Sequence, residues 1–150
     1  MTSDHKRVLF VCIGNACRSQ MAEAFARHHG SDVLIAASAG LAPAAFVMPD
    51  TIRAMREKNL DLRDHFPKSL GYLNRAQFDL VVNMSGHDLP EDLTVPVVEW
   101  DVMDPVALAY SEHCEVRDAI ERMVLKLIED TRDERRKPHF RGQGSGQIPL

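Results

Sequence analysis

An apolar run, Val8-Leu9-Phe10-Val11, passes without a break into Cys12-Ile13-Gly14-Asn15-Ala16-Cys17-Arg18-Ser19. One residue on, past Gln20, follows Met21-Ala22-Glu23-Ala24-Phe25-Ala26. A strand, a tight loop and a helix must therefore follow one another, which is the opening unit of an α/β fold. The layout aims backbone N–H groups and the positive end of a helix dipole at one small volume, an anion site. Gly14 and Asn15 both tolerate positive φ, which lets successive N–H groups converge. Arg18 can hold a phosphate-like oxyanion with two parallel hydrogen bonds, as lysine could not. Ser19 can cap the helix or donate to a thiolate. Cys12, at the strand end, faces the same volume. A lone cysteine after a buried strand is usually a packed small residue, and its spacing to Arg18 alone says little. With the strand, the Gly-Asn pair and the serine, the string predicts a nucleophile set in an oxyanion cradle.

The rest of the chain continues the alternation. Strands are predicted at Arg7 to Cys12, Val33 to Ser38, Asp79 to Met84 and Val95 to Trp100; continuous Val/Leu/Ile runs are typical of parallel strands buried on both faces. Helices are predicted at Ser19 to His29, at Pro49 to Asn59, briefly near Leu70 to Ala76, and at Ser111 to Asp130. In the last, Val116, Ile120, Met123 and Leu127 keep a helical period. The expected fold is a single doubly wound, four-stranded parallel sheet flanked by helices, with a phosphate-binding loop after the first strand. Ligands of such sheets bind at the carboxyl ends of strands. Cys12, Ser38, Ser85 and Asp104 follow predicted strands and can converge on one rim. One domain is expected over residues 1–130. Residues 131–150 hold the charge run Asp133-Glu134-Arg135-Arg136-Lys137 and a Gly-rich end, expected as a charged, flexible tail.

Bulk properties narrow the function. At 150 residues with 45% hydrophobic content the chain can bury a sizeable core. A net charge of -4 with no basic stripe argues against nucleic acid. No long apolar run suggests a membrane span, and Met1 to Arg7 does not resemble a signal peptide. Three cysteines without a secreted pattern suggest a reducing, cytoplasmic setting. No Cys/His spacing suits zinc, so neither metal nor cofactor is expected. Cys114 is expected as a packed thiol. Asp104-Pro105 is a turn signal by itself, and Asp101 could compete for any role given to Asp104.

The string Val8 to Ala24 resembles the low-molecular-weight protein tyrosine phosphatase family and its sister branch, the phosphatase-like arsenate reductases. Both carry a loop of the form Cys-x-Gly-Asn-x-Cys-Arg-Ser. The likeness extends to Ser38-Ala39-Gly40, to His65, Lys68 and Ser69, and to Asp104-Pro105. It implies Cys12 as nucleophile and Arg18 as oxyanion clamp. It implies Ile13, Gly14, Asn15, Ala16, Cys17, Arg18 and Ser19 as the phosphate-binding loop, and Asp104 as general acid, then base. It also implies that Asn15, Ser19, Ser38 and His65 brace the loop and that Cys17 shields Cys12 from overoxidation by a reversible disulfide. Three features depart from the phosphatase branch or from its thioredoxin-coupled cousins. Gln20 stands where phosphatases usually carry proline and looks more like the reductase branch. The segment Met84 to Asp92 lacks the two resolving cysteines of thioredoxin-coupled reductases. Val106-Ala107-Leu108, not a tyrosine, follow Asp104-Pro105. The first expectation is a cysteine-dependent phosphomonoester hydrolase working through a cysteinyl-phosphate, on a phosphorylated protein or a small phosphomonoester. The alternative is an arsenate reductase using an external thiol reductant. The third is a phosphate-binding module without turnover.

Overall fold

The computed structural model describes residues 4–137. Strands β1 (Lys6–Cys12), β2 (Leu34–Gly40), β3 (Leu80–Asn83) and β4 (Val97–Glu99) form one parallel sheet in the order β2-β1-β3-β4. Helices α1 (Arg18–Gly30), α2 (Pro49–Arg56) and α3 (Tyr110–Arg136) flank it. The four-stranded parallel sheet flanked by helices is the architecture expected from the sequence.

Side-chain alternation along β1 divides the core. Val8, Phe10 and Cys12 point to the face that holds Met21 and Phe25 of α1, Met55 of α2 and Ile120, Val124 and Ile128 of α3. Leu9 and Val11 point to the other face, where Leu70, Leu73, Phe78, Leu89 and Leu93 cover them from loops and short turns. β1 is thus buried on both sides, the reason its sequence is apolar at every position from Val8 to Val11. Helices α1 and α3 approach closely at Gly30, where an added Cβ would lie 2.6 Å from the Ile128 side chain.

Boundaries differ from expectation where tertiary contacts decide. The helix expected near Leu70 to Ala76 is two single 3₁₀ turns, Leu70–Tyr72 and Arg75–Gln77, the second capped by Asn74 Oδ1 accepting from the Ala76 amide at 3.3 Å. β2 runs on through Gly40, which pairs with Cys12 and donates its amide to the Lys68 carbonyl at 2.8 Å. α3 continues to Arg136, so the charged segment expected to open a flexible tail at residue 131 is helical up to there. Arg132 and Arg135 hold that last turn against the α1–β2 connection: Arg132 pairs with the Asp32 carboxylate at 2.8 Å and Arg135 donates to the Asp32 carbonyl at 2.8 Å. The rest of the expected tail, residues 138–150, lies outside the described residues.

Candidate active site

The loop between β1 and α1 is pinned from outside. The carbonyls of Cys12, Ile13, Gly14 and Ala16 accept from the amides of Leu41, Ala42, Ala44 and Met48 at 2.8–3.1 Å. A peptide's C=O and the N–H that follows it point opposite ways. With these carbonyls turned outward, the amides of Ile13, Gly14, Asn15 and Cys17 face the enclosed side, forming a nest for an anion. Asn15 alone in the loop adopts positive φ, at 51°. Gly14 does not, contrary to the pairing expected from sequence, and a Cβ there would meet only ordinary contacts at 3.7 Å. The glycine the loop needs is Gly40 of β2. A Cβ on it would sit 2.7 Å from the Ile13 carbonyl oxygen and 2.8 Å from the Asn15 nitrogen.

Asn15 is held in its left-handed conformation by a saturated, buried network. Its Nδ2 donates to Ser19 Oγ at 2.7 Å, and its Oδ1 accepts from the Lys68 amide at 3.0 Å. Gln20 Nε2 lies 3.1 Å from Asn15 Oδ1, from the Asn15 carbonyl and from the Phe66 carbonyl. Gln20 Oε1 accepts from His65 Nδ1 at 2.8 Å, which places the ring proton on that nitrogen. Burial holds His65 below the usual imidazole range, consistent with a neutral donor. His65 therefore reaches the loop through Gln20, a brace whose sequence signal was only its departure from proline. Ser38 makes no side-chain hydrogen bond to the loop among the described residues. It lies inside β2, and its hydroxyl donates to Glu23 of α1, whose second oxygen pairs with Arg27 at 2.7 Å.

Cys12 and Ser19 meet at 2.9 Å between Sγ and Oγ, and the Ser19 amide points to the same sulfur at 3.4 Å. Because Ser19 Oγ accepts from Asn15, its own proton is free for Cys12, so both donors suit a sulfur carrying negative charge. Ser19 is thus a thiol partner and not a helix cap; Cys17 occupies the cap position. The Arg18 guanidinium is nearly fully buried. Its Nη1 donates to the carbonyls of Met84 and Val102, the latter at 3.0 Å, and Nη2 stands 3.5 Å from Asp104 Oδ2. The ends of β3 and β4 thereby aim Arg18 and bring Asp104 to the mouth, where its side chain is 41% exposed. Asp101, the competing carboxylate, is exposed and makes no ion pair with Arg18 among the described residues, although it lines a cavity with Arg18, Trp100 and Val102.

Cys17 has Cys12, Arg18 and Asp104 among its charged neighbours. Its thiol donates to Met48 Sδ at 2.9 Å, and burial pushes it up to about 12. Tyr110, the tyrosine nearest Asp104 in sequence, is tied to α2: its hydroxyl donates to Glu57 at 2.6 Å and Arg53 lies over its ring at 3.8 Å. Ser85, fully occupied in a tight turn with Asn83 and His87, stands where the chain follows β3. Among the described residues no group of three His, Cys, Asp or Glu side chains could hold a metal ion. None of the described helices is long and apolar enough to cross a membrane.

Comparison with known proteins places this geometry. The low molecular weight phosphotyrosine protein phosphatase family matches residues 7–137. An arsenate reductase of Bacillus cereus is 37% identical over 132 residues, covering 83% of this chain and 95% of that protein. An arsenate reductase in the phosphate-binding state superposes with a TM-score of 0.78 at 30% identity, covering 84% of this chain and 98% of that one. A thioredoxin-dependent arsenate reductase of Corynebacterium glutamicum gives a TM-score of 0.71 at 25% identity, over 89% of this chain and 65% of that one.

Proposed function

Because the chain belongs to the low molecular weight phosphotyrosine protein phosphatase family, we propose that it performs the chemistry of that family's loop on arsenate, using an external thiol as reductant. The observation that carries this reading is the 37% identity to an arsenate reductase across nearly its whole length. The position of Tyr110 supports it as well. Tied to Glu57 and Arg53, that ring is already committed to contacts within the chain, which counts against its serving as a wall for a phosphotyrosine.

Arsenate is tetrahedral and carries the charge of phosphate. Its equatorial oxygens take the amides of Ile13, Gly14, Asn15 and Cys17 and the Arg18 guanidinium. The Cys12 sulfur attacks arsenic, one As–O bond breaks, and Asp104 protonates the departing oxygen, which leaves as water. The reduction then needs two electrons. Of the three cysteines, Cys17 donates to Met48 as a protonated thiol and Cys114 lies in α3, which supports an external donor. An external thiolate attacks Cys12 Sγ. An S–S bond forms, the S–As bond breaks with its electron pair on arsenic, and arsenite leaves. A second external thiol opens the mixed disulfide and frees Cys12.

The test is arsenate-dependent consumption of reducing equivalents with thioredoxin, glutaredoxin and low-molecular-weight thiols as donors, with Cys12→Ser as control. Turnover with at least one donor, lost in the variant, is expected. Silence with every donor would overturn the reading. A second reading, phosphomonoester hydrolysis, is favoured by one contact: Asp104 sits half-exposed beside Arg18, where it could serve as acid and then as base toward a cysteinyl-phosphate. Aryl-phosphate hydrolysis on the same preparation separates the two.

A further inference from the structure

A groove of about 660 Å³ runs between α3 and the β4 edge of the sheet. Leu80, Trp100, Met123 and Leu127 line its floor. Among the described residues β4 hydrogen-bonds only to β3, and its Val97 and Val98 are 39% and 40% exposed. An open strand edge beside an open apolar groove is a surface that proteins normally cover.

The helix side of the groove says by what. Arg122, Lys126, Asp130 and Glu134 line it and, at four-residue spacing, share one row of α3. Their order is two positive charges followed by two negative ones. Lay a second α3 antiparallel across the groove, about a two-fold axis between Lys126 and Asp130. Arg122 of one copy then meets Glu134 of the other, and Lys126 meets Asp130, in both directions. The same register brings the two Leu127 side chains together beside the axis. A parallel pairing would instead set like charge against like. Within one copy these charges gain little. Lys126 and Asp130 pair at 2.8 Å with side chains 75% and 53% exposed, and Glu134 reaches Lys6 at only 3.7 Å. We propose that this face joins two copies of the chain in a two-fold dimer built on antiparallel α3 helices. The groove includes Lys6, the first residue of β1, whereas Cys12 is its last. At its other end the groove reaches Glu99 and Trp100, which also line the cavity beside Arg18, but the proposed axis between Lys126 and Asp130 lies in the C-terminal half of α3, and the inference does not rest on the catalytic reading.

Sedimentation equilibrium on the full chain, from low micromolar to high micromolar concentration, tests it. A reversible monomer–dimer equilibrium is expected. Arg122→Glu with Lys126→Glu makes the row uniformly negative and should raise the dissociation constant at least about tenfold. Adding Asp130→Lys and Glu134→Lys inverts the order but keeps it self-complementary, and should restore affinity to within about threefold. Circular dichroism confirms that each variant is folded. A monomer throughout the range would overturn the proposal. So would a dimer that survives the double reversal, or a folded fourfold variant that fails to recover association.

Discussion

Asn15 carries more of the site than its small side chain suggests. It takes positive φ, a conformation costly for a non-glycine residue, and the bonds it accepts from Gln20 and Lys68 and donates to Ser19 hold it there. Gly40 makes room for that conformation. Gly40→Ala would drive a methyl group into the Ile13 carbonyl and the Asn15 amide, both backbone and neither able to swing away. The expected result is a stability loss of about 1–3 kcal/mol and a fall in phosphate affinity of at least about tenfold, read by urea unfolding and by calorimetry with inorganic phosphate. Unchanged phosphate binding would show that the loop does not depend on this contact. Arg18→Lys tests the opposite side of the cradle. A lysine cannot satisfy the Met84 and Val102 carbonyls and still present two parallel donors to the anion. It should lower kcat/KM by about 10²–10³, with the melting temperature as control for folding.

Helices α2 and α3 are joined by a buried polar contact with its own pH signature. His113 is wholly buried, its Nε2 lies 3.0 Å from Thr51 Oγ1, and its Nδ1 has no partner among the described residues. Burial pushes its pKa below the usual value, an effect that Asp50 and Asp104 partly offset. The unfolded chain, with a histidine pKa of about 6.5, takes up this proton first as pH falls. The stability linked to His113 is therefore complete above that pH and is lost on the way down to the folded-state value. His113→Gln keeps a hydrogen-bonding group but cannot titrate. Its urea midpoint should vary less with pH on the acid side of neutrality than that of the wild-type chain, at a cost of about 1–2 kcal/mol in mildly alkaline buffer. Parallel curves would mean that His113 does not titrate in this window. Contacts of this kind also mark the limit of what the sequence discloses. The β1–loop–α1 unit was legible because its signals are contiguous: an apolar run, a turn-prone pair, then helical periodicity. The partner of Ser38 was not, because its hydroxyl crosses to Glu23 on a neighbouring element. The end of α3 was not, because a charge run looks solvated until Asp32 is seen to receive Arg132 and Arg135. Gln20 stood out only as an unusual residue; its role as a bridge from Asn15 to His65 needs the 61–68 segment folded against the loop.

Taken whole, the described residues hold three free cysteines, and neither Cys17 nor Cys114 is bonded to Cys12. Cys12 lies with Ser19 and the anion nest at the carboxyl rim of the sheet. Cys17, five residues on, is turned to Met48 and held as a thiol by burial, and Cys114 is part of α3. Thiol–disulfide exchange needs an attacking thiolate in reach of the sulfur it opens. The proposed reductase cycle therefore makes a distinct prediction about all three cysteines. Cys12→Ser should abolish arsenate turnover, a loss of about 10⁴-fold or more, because no other group can form the sulfur–arsenic bond. Cys17→Ala together with Cys114→Ser should keep kcat with a supplied thiol donor within about threefold of wild type, since neither sulfur accepts or passes electrons. Cys17→Ala opens a small cavity under the loop and should cost about 1 kcal/mol of stability, so activity is compared well below the melting transition. Mass spectrometry of the double variant, quenched during turnover, should find a mixed disulfide between Cys12 and the donor. If the double variant loses turnover while its fold and phosphate affinity persist, one of the two cysteines is a resolving thiol, and the electrons leave Cys12 by a rearrangement that brings that sulfur to it.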